Sequence, residues 1–388
     1  MTETTNAYHD IDVPGLDGSN PLGYLAALGL LVELSATESA PIRMSWKICN
    51  GNWKPTLRVG PRVSPAEVSQ LLAAQLRLNK CSSESGAALE AAVSTADKAH
   101  MSAKKRLKDA LDDIKKRKLR GKERQQAIET ETRPLVAEVN QKRTAWLQLL
   151  KESSPSPELA LGKDPAAMQE HFRLTAQEIA SDVLPKTRGS ADLIAAFGCD
   201  AVVDPKSSKV RATSFCFVTG SGHQYFLENV RELLNCVDVE RIQQALFSPQ
   251  PHSDPKLSMR WDPIEDRRYA MMWSDPTSSG NEAKTNWALN LLAYRGLQLM
   301  PCVPKARRAA TTGFSSHNQS LDWTWPLWSA WLTQNSVRTL LSLQELQDDE
   351  PPRAVLAPRG IVEVFRASRI QVGNPPLHKL NFTPPRSV

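Results

Sequence analysis

Between Lys98 and Arg124 twelve lysines and arginines stand against four acids, Asp109, Asp112, Asp113 and Glu123. The candidate contacts in this run are Lys104, Lys105, Arg106, Lys108, Lys115, Lys116, Arg117, Lys118, Arg120, Lys122 and Arg124. Such a surplus neutralises phosphates, releases counterions and gives binding that weakens steeply with salt. The run contains no aromatic residue, so it offers no platform for base stacking. The same residues admit two other readings. Asp109, Asp112 and Asp113 can pair with Lys105, Lys108, Lys116 or Arg117 at helical spacing, which makes a solvated helix surface, and a charged arm can dock a protein.

Three further strings carry chemistry-bearing residues. Arg260 to Ala270 places Asp262, Glu265 and Asp266 within five positions, a spacing open to a divalent metal. Its interleaved arginines favour an ion-paired turn that locks Trp261 and Tyr269 on the core, with Arg267 and Arg268 able to reach phosphate. Lys305, Arg307 and Arg308, followed by Thr311, Thr312, Ser315 and Ser316, suit contacts to a phosphate backbone. Gly220-Ser221-Gly222-His223 lacks the Lys-Ser or Lys-Thr of a P-loop and the third glycine of a dinucleotide fingerprint, and reads as a tight turn. With no Walker lysine, His-Glu-x-x-His or Gly-x-Ser-x-Gly, the sequence predicts no enzyme, no cofactor and no metal site.

Positioning these residues needs a body and an arm. Asn20 can cap, and Pro21 can open, a buried helix from Leu22 to Leu31 packed closely through its glycines. Ile42–Ile48 and Trp53–Val59 read as strands around Asn50-Gly51-Asn52, and Ser64-Pro65-Ala66-Glu67 opens a helix to about Leu78. From 88 to 151 a narrow apolar stripe recurs as Val93, Ala96, Ala103, Leu107, Leu111 and Ile114, then as Ile128, Leu135, Val139, Trp146 and Leu150. Two long helices packed on each other fit it, reversing near Gly121, with Pro134 kinking or restarting the second arm. Beyond a Ser-Pro linker at 153–157, the sequence predicts a helix from Asp164-Pro165 to about Leu184 and a strand over Val210–Val218. Helices are expected over Gln224–Leu234, after Asp238 and over Asn281–Leu297, then a strand over Gly360–Val372 and an irregular tail. The tryptophans from Trp323 to Trp331 read as core or interface anchors, with base stacking as the alternative.

The expected fold class is therefore α+β, a mixed globular body with a protruding long antiparallel helical hairpin. The segmentation is 1–84 and 153–388 for the two parts of the body and 85–152 for the basic insertion. The net charge of +6 resides in that insertion, the rest being about neutral. The six cysteines are scattered without a Cys-x-x-Cys pair, which suits reduced core residues rather than zinc ligands. The longest apolar stretch, Leu22–Leu34, falls short of a membrane span, and the polar, acidic start does not read as a secretory signal. A cytoplasmic protein with no membrane partner is expected.

Four strings in their order resemble proteins of type I-G (formerly I-U) CRISPR loci: Asn20-Pro21-Leu22-Gly23 with Ala27-Leu28-Gly29, Trp261–Ala270, Asn286–Pro304, and Ala310-Thr311-Thr312-Gly313-Phe314 with Trp325-Pro326-Leu327-Trp328. The match covers both ends of the body but not the basic run, which looks like an insertion. The resemblance implies a non-catalytic subunit of a crRNA-guided surveillance complex in antiviral defence, similar to the large subunit or to accessory proteins of the helicase-nuclease. The partners it implies are double-stranded target DNA, the crRNA-containing complex, other CRISPR effector subunits and the helicase-nuclease. The family carries no catalytic residues over to this chain. A protein-docking scaffold without nucleic-acid contact, and a metal-dependent nuclease using Asp262, Glu265 and Asp266, are the alternative readings.

Overall fold

The computed structural model describes residues 8–37, 41–60, 63–76, 84–181, 188–218, 224–248, 252–263, 284–306, 308–317, 320–372 and 379–388. These residues form an α+β fold of helices and small antiparallel sheets. The chain divides into two compact units, one made of 1–79 with 163–388 and the other of 80–162.

The first unit is organised around helix α1 (Pro21–Thr37), in which every residue from Pro21 to Leu34 is buried. Its start is fixed by Asn20, whose side-chain oxygen accepts from the Leu22 and Gly23 amides at 2.9 and 3.4 Å. Glycine is required where α1 crosses a second helix. A β-carbon on Gly29 would overlap the Leu292 carbonyl, and one on Gly296 would overlap the Leu25 carbonyl. Helix α2 (Pro65–Gln75) opens on a capping box in which Ser64 and Glu67 satisfy each other's backbone amides.

The second unit holds helices α3 (Glu84–Lys116) and α4 (Gly121–Ser153), which lie side by side in opposite directions. Their cross-helix pairs, His100 with Trp146, Arg106 with Glu138 and Arg117 with Glu131, fix that direction and register. Helix α4 runs without interruption through Pro134. Proline removes the amide that would bond the Thr130 carbonyl, but Thr130 and Pro134 are both exposed, so that carbonyl stays open to solvent, and the helix does not break there.

The first unit continues with α5 (Gln169–Ser181) and α6 (Arg188–Phe197), then α7 (Phe226–Cys236), α8 (Val239–Phe247) and α9 (Trp287–Gly296). Helix α5 starts after the expected Asp164-Pro165, whose carboxylate instead accepts from the Phe226 amide at the start of α7. The expected strand over Val210–Val218 pairs only through Val210–Ala212, because the following residues turn back on themselves, the Cys216 amide bonding the Thr213 carbonyl.

Strands β1 (His9–Asp12), β2 (Arg43–Cys49) and β3 (Asn52–Val59) make an antiparallel sheet in the order β1-β3-β2. Later strands include the pairs β4 (Gly198–Val203) with β5 (Val210–Ala212), β6 (Asp254–Pro255) with β7 (Lys284–Thr285), and β8 (Cys302–Lys305) with β9 (Arg308–Thr311). The largest sheet runs β10 (Phe314–His317), β11 (Ser320–Trp328), β12 (Ile361–Val372), β13 (Lys379–Phe382), with β14 (Arg386–Ser387) also on β12. The C-terminal tail is thus partly strand rather than irregular throughout.

Trp323, Trp325 and Trp328 of β11 are fully buried and close an aromatic core around Tyr24 with Trp46. Two indoles are anchored by backbone acceptors, Trp325 donating to Gly18 O and Trp328 to Met44 O, each at 2.8 Å. These three are core residues and have no free ring face for a base. Trp331 is partly exposed and lies under the Arg58 guanidinium.

Candidate nucleic-acid interface

The helical unit concentrates the charge of the chain. Residues 80–162 contain seventeen Lys and Arg against twelve Asp and Glu, which accounts for five of the six net positive charges. Over Lys115–Arg124 the imbalance is seven to one. All twelve basic residues from Lys98 to Arg124 have exposed positions.

Their partners divide them. Arg106 is neutralised by Glu138, and Arg117 by Glu131 and, at 3.5 Å, by Asp113. The Glu131 carboxylate holds the Arg117 guanidinium above its ordinary pKa. Nine others, Lys98, Lys105, Lys108, Lys115, Lys116, Lys118, Arg120, Lys122 and Arg124, meet no carboxylate among the described residues. Lys104 is also exposed and lies on α3. The Asp109, Asp112 and Asp113 pairing that helical spacing allows is realised once, between Asp113 and Arg117.

Helical geometry explains the division. At 3.6 residues per turn the packed stripe of α3 runs through Ala103 and Ile114, and that of α4 through Thr132, Trp146 and Leu150, all buried. Arg106, Asp113 and Arg117 fall on one flank of the α3 stripe, facing Glu131 and Glu138 on α4; this flank is closed by ion pairs. On the other flank lie Lys104 and Leu111 of α3 with Val136 and Arg143 of α4. Leu111, expected in the stripe, is 41% exposed there, and Val136 is 42% exposed. Lys108 and Lys115 follow on the outer surface beside this open flank. Between the helices Lys118 takes a left-handed backbone with φ 54°, and Gly121 one of 53°, which reverses the chain within a few residues and crowds Lys115 to Arg124 around one turn.

Lys305 and Arg308 are cross-strand neighbours at the end of the β8–β9 ribbon, both exposed, on either side of Ala306 with φ 53°. They belong to the first unit. Arg267, Arg268 and Arg307 lie outside the described residues, as do Glu265, Asp266, Tyr269 and the Gly220–His223 string. Asp262, the one described carboxylate of the suggested metal set, is buried, accepts from Asn20 Nδ2 at 2.9 Å and faces His252 at 3.4 Å. It ties the cap of α1 to Trp261, whose buried indole donates to Phe215 O at 3.0 Å. Among the described residues no three metal-ligating side chains converge, and no helix is long and apolar enough to cross a membrane.

Two residues of this region went unnoticed in the sequence. His100 is 7% exposed and stacks on Trp146 with centroids 5.8 Å apart and planes within 6°. Its buried Nδ1 has no hydrogen-bond partner among the described residues. Burial first, and then Lys104 and Arg143, hold its pKa below the ordinary histidine value, against a bond to the Val139 carbonyl and the charge of Asp97. Arg143 is half-buried and meets no carboxylate among the described residues; loss of hydration lowers its pKa. The available signal was phase: His100 falls in step with the apolar stripe, and Arg143 stands one turn from Trp146.

No protein-family model matches the chain, and no curated protein matches its sequence.

Proposed function

We propose that this chain is a non-catalytic subunit of a type I-G CRISPR interference complex and holds the backbone of double-stranded target DNA along its helical unit. The observation that carries the DNA-binding part is the set of nine exposed cations with no carboxylate partner among the described residues, beside two arginines that are internally neutralised. Fixed positive charge on a rigid helical pair, without aromatic side chains in the basic run, suits phosphates and not bases, so the expected binding is sequence-independent. Placement in the CRISPR system rests on the four strings that resemble type I-G proteins. In that setting, guide pairing reads the sequence and this subunit supplies affinity for the duplex. Lys305 and Arg308 are a second phosphate-contact candidate.

The test uses the full chain. Titration onto random-sequence duplex DNA should give an affinity that falls linearly with salt on logarithmic axes, with a slope of about −5 or steeper for six or more phosphate contacts. Mixing with a reconstituted crRNA-containing complex should give co-elution and increase retention of target duplex. An affinity for DNA that does not respond to salt rejects the helical unit as the contact, and failure to join the complex rejects the CRISPR assignment.

A further inference from the structure

We infer that Arg143, Lys104 and the buried His100 form a phosphate subsite on the open flank of the helical pair, where binding of a phosphodiester is coupled to protonation of the imidazole. This deepens the nucleic-acid reading above and rests on it.

The three groups are brought together by the seam. His100 of α3 stacks face to face on Trp146 of α4. Lys104 stands one turn along α3 from His100, and Arg143 one turn along α4 from Trp146, so both rise on the same flank of the stacked pair. Arg143 is the residue that calls for a ligand. Its guanidinium has lost part of its hydration and has no hydrogen-bond or carboxylate partner among the described residues. A cation withdrawn from water without a counter-charge is unfavourable, and an external anion relieves it. A phosphate suits the place because Lys104, Lys108 and Lys115 continue along the same side of α3 over about 16 Å, long enough to follow several phosphates of one strand.

His100 supplies the coupling. The charged groups that act on it are Lys104 and Asp97 from its own helix and Arg143 from the facing one. The two cations oppose a positive imidazole, and Asp97 favours it. Its buried Nδ1 has no acceptor among the described residues to take a second ring proton, which favours the neutral ring. A phosphate placed between Lys104 and Arg143 cancels their repulsion and favours the imidazolium. By linkage, a proton enters with the phosphate, and affinity for duplex rises as pH falls through the range below the ordinary histidine value of about 6.5. The coupling is absent at alkaline pH, where the ring is neutral with or without DNA.

The experiment follows the His100 ring signal by NMR in the full chain, alone and saturated with random-sequence duplex DNA. His100→Gln identifies the signal; should that variant not fold, the ring-current displacement imposed by Trp146 identifies it instead. DNA should raise the apparent pKa of His100 by about half a unit to one unit, the effect of one phosphate charge several ångströms away at high effective dielectric. Arg143→Gln, at a half-exposed position outside the buried stripe, should abolish that shift and make the salt slope shallower by about 0.9. Salt-dependent DNA binding with an unmoved His100 signal, or a shift that survives Arg143→Gln, overturns the subsite and leaves the general reading standing. Absence of DNA binding removes both. An equal shift on adding polyglutamate overturns the assignment to phosphate.

Discussion

Glutamine at Lys115, Lys116, Lys118 and Arg120 removes four positive charges at exposed positions without a carboxylate partner among the described residues. If each of these side chains neutralises one phosphate, the slope of log affinity against log salt becomes shallower by about 3.6. Over a fourfold rise in salt, the gap between wild type and variant therefore narrows by about 10²-fold. Arg117 is left in place because its charge is already met by Glu131 and Asp113. The matched control replaces Arg117 and Glu131 together by glutamine, and a second replaces Arg106 with Glu138, so that net charge is conserved. Both double variants should retain the wild-type slope. The assay is fluorescence anisotropy with a labelled random-sequence duplex across a salt series, with circular dichroism to confirm that helicity is kept. An unchanged slope in the fourfold variant, or an equal change in the charge-conserving doubles, refutes the division of the helical pair into a neutralised and an open flank.

Gly29→Ala forces a methyl group into the Leu292 carbonyl and should destabilise the body by about 3 kcal/mol, read as a lower urea midpoint with little change in the slope against denaturant; an unchanged midpoint excludes the close helix crossing. Asp164 is pushed up to about 6, chiefly by loss of hydration, against the bond it receives from the Phe226 amide. Its folded-state value exceeds its unfolded one, so the protonated form stabilises the fold below about pH 4, and this contribution is lost as pH rises through about 6. Asp164→Asn should accordingly raise stability at pH 7.5 by up to about 3 kcal/mol, a difference that vanishes below pH 4 in paired denaturation curves; a variant no more stable than wild type at pH 7.5 rejects the buried carboxylate.

The elements legible in the sequence are those set by local chemistry. Asn20 before Pro21, the Ser64–Glu67 capping box and the Asp238 cap each begin a helix where the residue types require one. The glycines of α1 also announced a close crossing, although not its partner. Strand β11 was not legible as a strand, because Trp323 to Trp328 are buried on both faces and show no apolar-polar alternation, and Pro326 argues against a central strand. Residues 379–387 pair with β12 through backbone groups, which their irregular composition does not reveal. At the candidate interface the basic residues were plain from composition. Their neutralisation was not, since Arg106 meets Glu138 and Arg117 meets Glu131 across 32 and 14 residues of chain. The Asp113–Arg117 pair, at helical spacing, was the one anticipated.

The indole bond from Trp325 to Gly18 spans 307 residues, and that from Trp328 to Met44 spans 284. Such separations impose an order on biosynthesis. At about 5–20 residues per second, tens of seconds pass between emergence of the apolar first helix and arrival of the strand that seals it. The intervening helical pair depends on its own neighbouring contacts and can form during that interval. The nascent N-terminus, by contrast, waits with its greasy surface uncovered, and its yield in cells will track the supply of holdase chaperones.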